Sequence, residues 1–167
     1  LFWLEDCRER RAVLLLLVVA AEDLRDPVAA GLCVQLEPRA GELAAALKAA
    51  GLVVGFNSRR FDYSVLSGYT GEDYARTLPT LDLLDSMVER LGRRVSLDHL
   101  TKETLGAGKS ADGLQSLQWV KEGRFDLIEE YCRRDVELLR DLYLFGRREG
   151  YVVIAERSGR IKVPVDW

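Results

Sequence analysis

Two short runs in this chain carry side chains whose types and spacing suit chemistry on a phosphate. The first is Gly55-Phe56-Asn57-Ser58-Arg59-Arg60-Phe61-Asp62, which follows directly on the apolar segment Leu52-Val53-Val54. A chain leaving a buried strand in this way emerges at the end of a sheet, where α/β proteins commonly place ligands. Asp62 then falls near the start of a helix, where the positive end of the macrodipole favours a carboxylate. Taken alone, it reads as a helix cap. The second run is Tyr131-Cys132-Arg133-Arg134-Asp135. A spacing of four sets the phenol one turn above the carboxylate on one helix face. Taken alone, this pair reads as a structural hydrogen bond beside the apolar positions Leu138, Leu139 and Leu142.

Composition limits what else these residues can be part of. The chain has 167 residues, 24 Lys+Arg against 27 Asp+Glu, and a formal charge of −3. Hydrophobic residues make up 48% and charged residues 31%, the balance of an ordinary globular protein rather than a disordered or collagen-like one. Such a length predicts a single domain spanning 1–167. The three cysteines, Cys7, Cys33 and Cys132, form no CxxC pair and indicate neither a disulfide framework nor a zinc site. They fit a reduced, cytoplasmic setting. With His99 the single histidine, any metal falls to carboxylates, which points to Mg²⁺ or Mn²⁺. The acidic balance argues against gripping nucleic acid through bulk positive charge.

The elements that must position these residues follow from local patterns. Leu1–Glu5 and Ala12–Ala21 read as strands, and Gly31–Leu36 as a third after the Asp26-Pro27 turn. The second resembles a signal peptide, with Arg10-Arg11 ahead of an apolar run. It is too short for a membrane span, and its Val/Leu content suits a buried strand. Gly41–Ala50 reads as a helix stopped by Gly51, Leu52–Phe56 as a buried strand, and Asp62–Leu66 as a short helix before a loop holding Gly68 and Gly71. Thr80–Leu91 starts as strand or helix and runs into helix. Ser96 caps a helix through Leu105 that Gly106 ends. A long helix ends near Arg148, and a hairpin turns at Ser158-Gly159. Together these describe an α/β fold with a mixed central β-sheet flanked by α-helices.

The Gly-Phe-Asn-x-x-x-Phe-Asp and Tyr-x-x-x-Asp runs, in this order, resemble the second and third motifs of the DEDD 3′–5′ exonucleases, with Tyr131 marking the tyrosine subtype. The chain is most similar to the bacterial and archaeal branch found alone or beside DEAD/DEAH-type helicases. The likeness covers about residues 50–167, including Thr80-Leu81-Asp82, the Leu105–Gly113 run and the closing Pro164-Val165-Asp166-Trp167. It implies a ribonuclease-H-like fold and exonuclease action on single-stranded DNA or RNA. It also implies two Mg²⁺ or Mn²⁺ ions held by four carboxylates, with Tyr131 orienting the attacking water.

The first family motif, Asp-x-Glu, corresponds here to Trp3-Leu4-Glu5, so Glu5 matches and Trp3 replaces the aspartate. Asp6 is adjacent, but consecutive strand residues face opposite sides. Glu5, Asp62 and Asp135 thus remain as metal ligands, enough for one hard cation. Arg59, Arg60 and Lys109 are the candidate phosphate contacts, with solvated surface the alternative. Phe56, Tyr63 and Trp119 are candidates for stacking on bases, with packing in the core the alternative. The loss at position 3 also favours an alternative function, a catalytically impaired module that binds nucleic acid or docks a helicase. A third reading places the true first motif outside a sequence that begins at Leu1. Two motifs are set aside. Gly106-Ala107-Gly108-Lys109-Ser110 lacks the first P-loop glycine and follows a helix instead of a strand. His99 has no companion ligand and reads as structural.

Overall fold

The computed structural model describes residues 13–19, 29–108, 118–119 and 122–167, with side chains from Ala40 onward except those of Phe125 and Glu129. The expected strand at Leu1–Glu5, with Trp3, Glu5 and Asp6, lies outside the described residues, as does Lys109. The chain divides into two compact units, one ending at Asp82 and one running from Leu83 to Trp167.

The first unit is built on a four-stranded sheet. The Val/Leu run forms β1 (Val13–Val19), which pairs antiparallel with β2 (Ala29–Gln35) from Val13↔Gln35 to Val19↔Ala29. β1 also meets β3 (Leu52–Gly55) antiparallel, through Val18↔Val53 and Val19↔Leu52. β3 runs parallel to β4 (Thr80–Asp82), giving the order β2-β1-β3-β4. This is a mixed sheet, as the sequence predicts. A parallel pair needs a crossover, and α2 (Asp62–Thr70) and α3 (Tyr74–Thr77) lie in it.

Between β2 and β3 runs α1 (Leu36–Ala49). It starts five residues ahead of the expected Gly41, because Pro38 falls in the first turn, where a missing N–H costs no helical bond. Its buried face repeats at helical spacing: Ala40, Leu43, Ala44 and Leu47. These residues share a core with Val53, Tyr63, Val65, Leu66, Tyr74 and Leu78. α2 is longer than expected. Gly68 lies within it, and the helix ends instead at Gly71, whose left-handed φ of 75° lets its N–H reach Ser67 O.

In the second unit, α4 (Leu83–Leu91) is followed by α5 (Leu97–Leu105). Ser96 caps α5 by accepting the His99 N–H, and Gly106 closes it at φ 70°, both as the sequence predicts. α6 (Phe125–Glu149) is one continuous helix with Ile128, Val136, Leu138, Leu139, Leu142 and Tyr143 buried. Gly150 ends it, and the chain enters the hairpin of β5 (Tyr151–Glu156) and β6 (Gly159–Pro164). Alternation along β5 buries Val152 and Ile154. The next residues over bond to α5. Thr104 Oγ1 donates to Val153 O and accepts from Val153 N–H at 3.0 Å, while His99 Nε2 accepts the Ala155 N–H at 3.1 Å. Side chains of α5 thereby cover the edge of β5 that β6 leaves open.

Candidate functional site

The turn after β3 is built around a glycine with no room for a side chain. A Cβ on Gly55 would sit 2.7 Å from Ser58 Cβ, so the loop closes onto the bare Cα. Two residues on, Asn57 takes the left-handed region at φ 64°, which asparagine tolerates better than most side chains. Helical bonding starts at once, with Phe61 N–H donating to Asn57 O and Tyr63 N–H to Ser58 O.

The register Gly55↔Asp82 puts the Asp82 carboxylate beneath this turn. Its Oδ1 accepts the Asn57 N–H at 2.8 Å, and Oδ2 accepts the Arg59 N–H at 3.1 Å and the Ser58 hydroxyl at 3.4 Å. Asp82 is 4% exposed and Ser58 1%, so a buried carboxylate fixes the backbone ahead of Asp62. Asp82 was not among the expected site residues. Its signal in the sequence is the run Thr80-Leu81-Asp82 within the likeness, which assigns it no role, and its task depends on strand pairing.

Asp62 is the first residue of α2 and is 5% exposed. The N-cap is Phe61, with no side-chain cap bond, so Asp62 is not the cap that its position alone suggests. Its carboxylate does lie in the first turn, where the macrodipole favours negative charge. Next to it, Tyr63 bonds through its hydroxyl to Thr80 Oγ1 at 2.6 Å. Burial pushes that phenol up from its ordinary range. Tyr63 is 1% exposed and stands 6.2 Å from the Tyr74 ring, in the core rather than on a binding surface. Phe56 is half-buried. Arg59 and Arg60 are exposed, and the Arg59 guanidinium donates to Thr80 O at 2.6 Å and Ala75 O at 3.4 Å.

In the second unit, Tyr131 and Asp135 lie one turn apart on α6. Tyr131 is half-buried and Asp135 is 3% exposed, between the buried Cys132 and Val136. Arg133 and Arg134 point to solvent, and Arg134 pairs with Glu137 at 3.4 Å. The Trp119 ring meets Tyr131 edge-on, with centroids 6.2 Å apart. His99 is structural, as expected: its ring serves as acceptor for β5.

Asp62 in the first unit and Asp135 in the second each offer carboxylate oxygen, the donor type that suits a hard divalent cation. Among the described residues no three His, Cys, Asp or Glu side chains gather where they could hold a metal, and Glu5 lies outside those residues. Among the described residues no helix is long and apolar enough to cross a membrane. The class that the described elements define is a mixed α/β protein. Comparison with protein-family models, curated proteins and solved structures finds no match to the chain.

Proposed function

We propose that the chain is a metal-dependent 3′–5′ exonuclease of ribonuclease-H-like fold that hydrolyses phosphodiester bonds of single-stranded DNA or RNA. One observation carries this reading: the aspartates that end the two motif runs are both withdrawn from solvent, 5% and 3% exposed, as among the described aspartates is otherwise only the loop-bonding Asp82 at 4%. Burying a carboxylate is costly unless hydrogen bonds or a cation compensate it. An aspartate placed only for solubility stays on the surface.

Glu5, Asp62 and Asp135 are the residues that would hold Mg²⁺ or Mn²⁺. Bound divalent ions supply a hydroxide at neutral pH and stabilise the leaving 3′ oxygen. The other roles belong to the chain. Tyr131 orients the water through its phenol, and Arg59, Arg60 and Lys109 meet the phosphates of the strand. Trp3 removes one carboxylate from the family pattern, so metal is bound more weakly here than by a full set of four.

The same Trp3 favours the second reading, a module that has lost catalysis and binds nucleic acid or docks a DEAD/DEAH-type helicase. One assay separates the two. A 5′-labelled single strand is incubated with the protein and Mg²⁺ or Mn²⁺, and shortening from the 3′ end is followed. Asp135→Ala is expected to reduce the rate by about a hundredfold or more. If Trp3→Asp alone creates activity, the second reading holds for the present chain. Equal activity in wild type and Asp135→Ala refutes the first.

A further inference from the structure

We infer that Trp119 is a positioning residue for Tyr131. The inference rests on the exonuclease reading, in which the Tyr131 phenol must be aimed at a water. A tyrosine on an exposed helix face turns freely about its side-chain bonds, and a ring packed against its edge or face removes that freedom. Trp119 supplies such a ring. Its centroid lies 6.2 Å from that of Tyr131 with the planes at 65°, an edge-to-face contact within the range where the ring quadrupoles attract.

The backbone is shaped to hold the contact. Gly123, just ahead of α6, takes φ 69°, the left-handed region that glycine adopts freely. The Arg124 N–H, at the N-cap of α6, donates to Trp119 O at 2.9 Å. Tryptophan is thereby tied to the start of the helix that carries Tyr131 two turns later. Both rings are half-buried. Cys132 and Asp135 on the same helix are buried, so the pair stands at the boundary between the helix's packed and wet faces.

Proximity and orientation decide the rate once binding is complete, so a misdirected Tyr131 lowers turnover and leaves strand affinity intact. Trp119→Ala is expected to lower kcat about tenfold to a hundredfold, with KM for a single strand changed by less than about twofold. Trp119→Phe, which keeps a ring, restores most of the rate. In a Tyr131→Phe background, Trp119→Ala is expected to cost nothing further, because both changes remove one function. In the free protein, the ring-current shift of the Tyr131 ring protons in NMR is expected to vanish in Trp119→Ala.

Each other outcome is decisive. An unchanged Tyr131 shift in Trp119→Ala overturns the contact. A full additional loss in the Tyr131→Phe background overturns the positioning role and leaves a general structural one. A raised KM at constant kcat overturns it in favour of Trp119 stacking on a base. A wild-type chain without metal-dependent nuclease activity overturns the exonuclease reading and this inference together. An active wild type with a normal Trp119→Ala variant overturns this inference alone.

Discussion

Gly55 and Ser58 occupy one another's space: the serine hydroxyl, with the methylene behind it, fills the place where any other residue at 55 would put its Cβ. Gly55→Ala is therefore expected to destabilise the protein by about 1–3 kcal/mol, the usual cost of forcing atoms into a packed site. Urea unfolding measures it, and Ser58→Gly in the same chain should recover most of the loss. Asp82 is the complementary case, since its carboxylate satisfies two backbone N–H groups of the loop. Asp82→Ala should cost roughly 2 kcal/mol or more, because each buried donor left without an acceptor costs about 1–3 kcal/mol. Hydrogen exchange at Asn57 and Arg59 should quicken selectively, and unchanged protection there would contradict the bonding described. At this scale the sequence was legible in part. Glycine and asparagine after an apolar run mark a turn at a strand end by their own conformational freedom. Asp82 gives no such local sign, because what it does is set by the parallel register with β3.

Helix α6 shows the same division at the scale of an element. Its apolar stripe and an end near Arg148 are written in local sequence, and the hairpin beyond it follows from the Ser158-Gly159 turn. Gly146 is not explained locally, since glycine costs about 1 kcal/mol against alanine inside a helix. The reason lies in the chain's last residues. A Cβ at 146 would come within 2.6 Å of Trp167 Cζ3 and 3.2 Å of Val165 Cγ2. The indole N–H of Trp167 donates to Ser86 Oγ at 2.7 Å, and Arg90 holds Pro164 O at 2.8 Å and the Asp166 carboxylate. Gly146→Ala is therefore expected to unseat Trp167 and lower stability by about 1–3 kcal/mol. Red-shifted tryptophan emission in the folded protein would report the displacement, and an unshifted spectrum with wild-type stability would contradict it. Gly68 misled the placement of a helix end for a related reason. Glycine weakens helices in general, yet here it tolerates a solvent-facing position near an end that Gly71 fixes.

For the whole molecule, a charge of −3 suggests a poor partner for nucleic acid. Where the carboxylates sit changes what that charge means. Asp62, Asp82 and Asp135 are buried, so part of the negative charge is held inside the protein rather than spread over the surface. Several arginines and lysines are occupied as well: Lys48 with Glu72, Arg93 with Glu156 and Arg124 with Asp126 form exposed pairs worth little to stability. The mixed sheet was legible because it rests on short runs and apolar patterning. What would gather the proposed metal ligands was not, because they lie far apart in the chain, and Glu5 lies outside the described residues. The most direct measurement is the length of a 5′-labelled single-stranded oligonucleotide over time with wild type and Asp62→Asn, in Mn²⁺ and after chelation. Stepwise shortening from the 3′ end by wild type in Mn²⁺, absent on chelation and reduced about a hundredfold or more in Asp62→Asn, is the result expected. An intact oligonucleotide with wild type, or the same ladder from both proteins, would contradict the account.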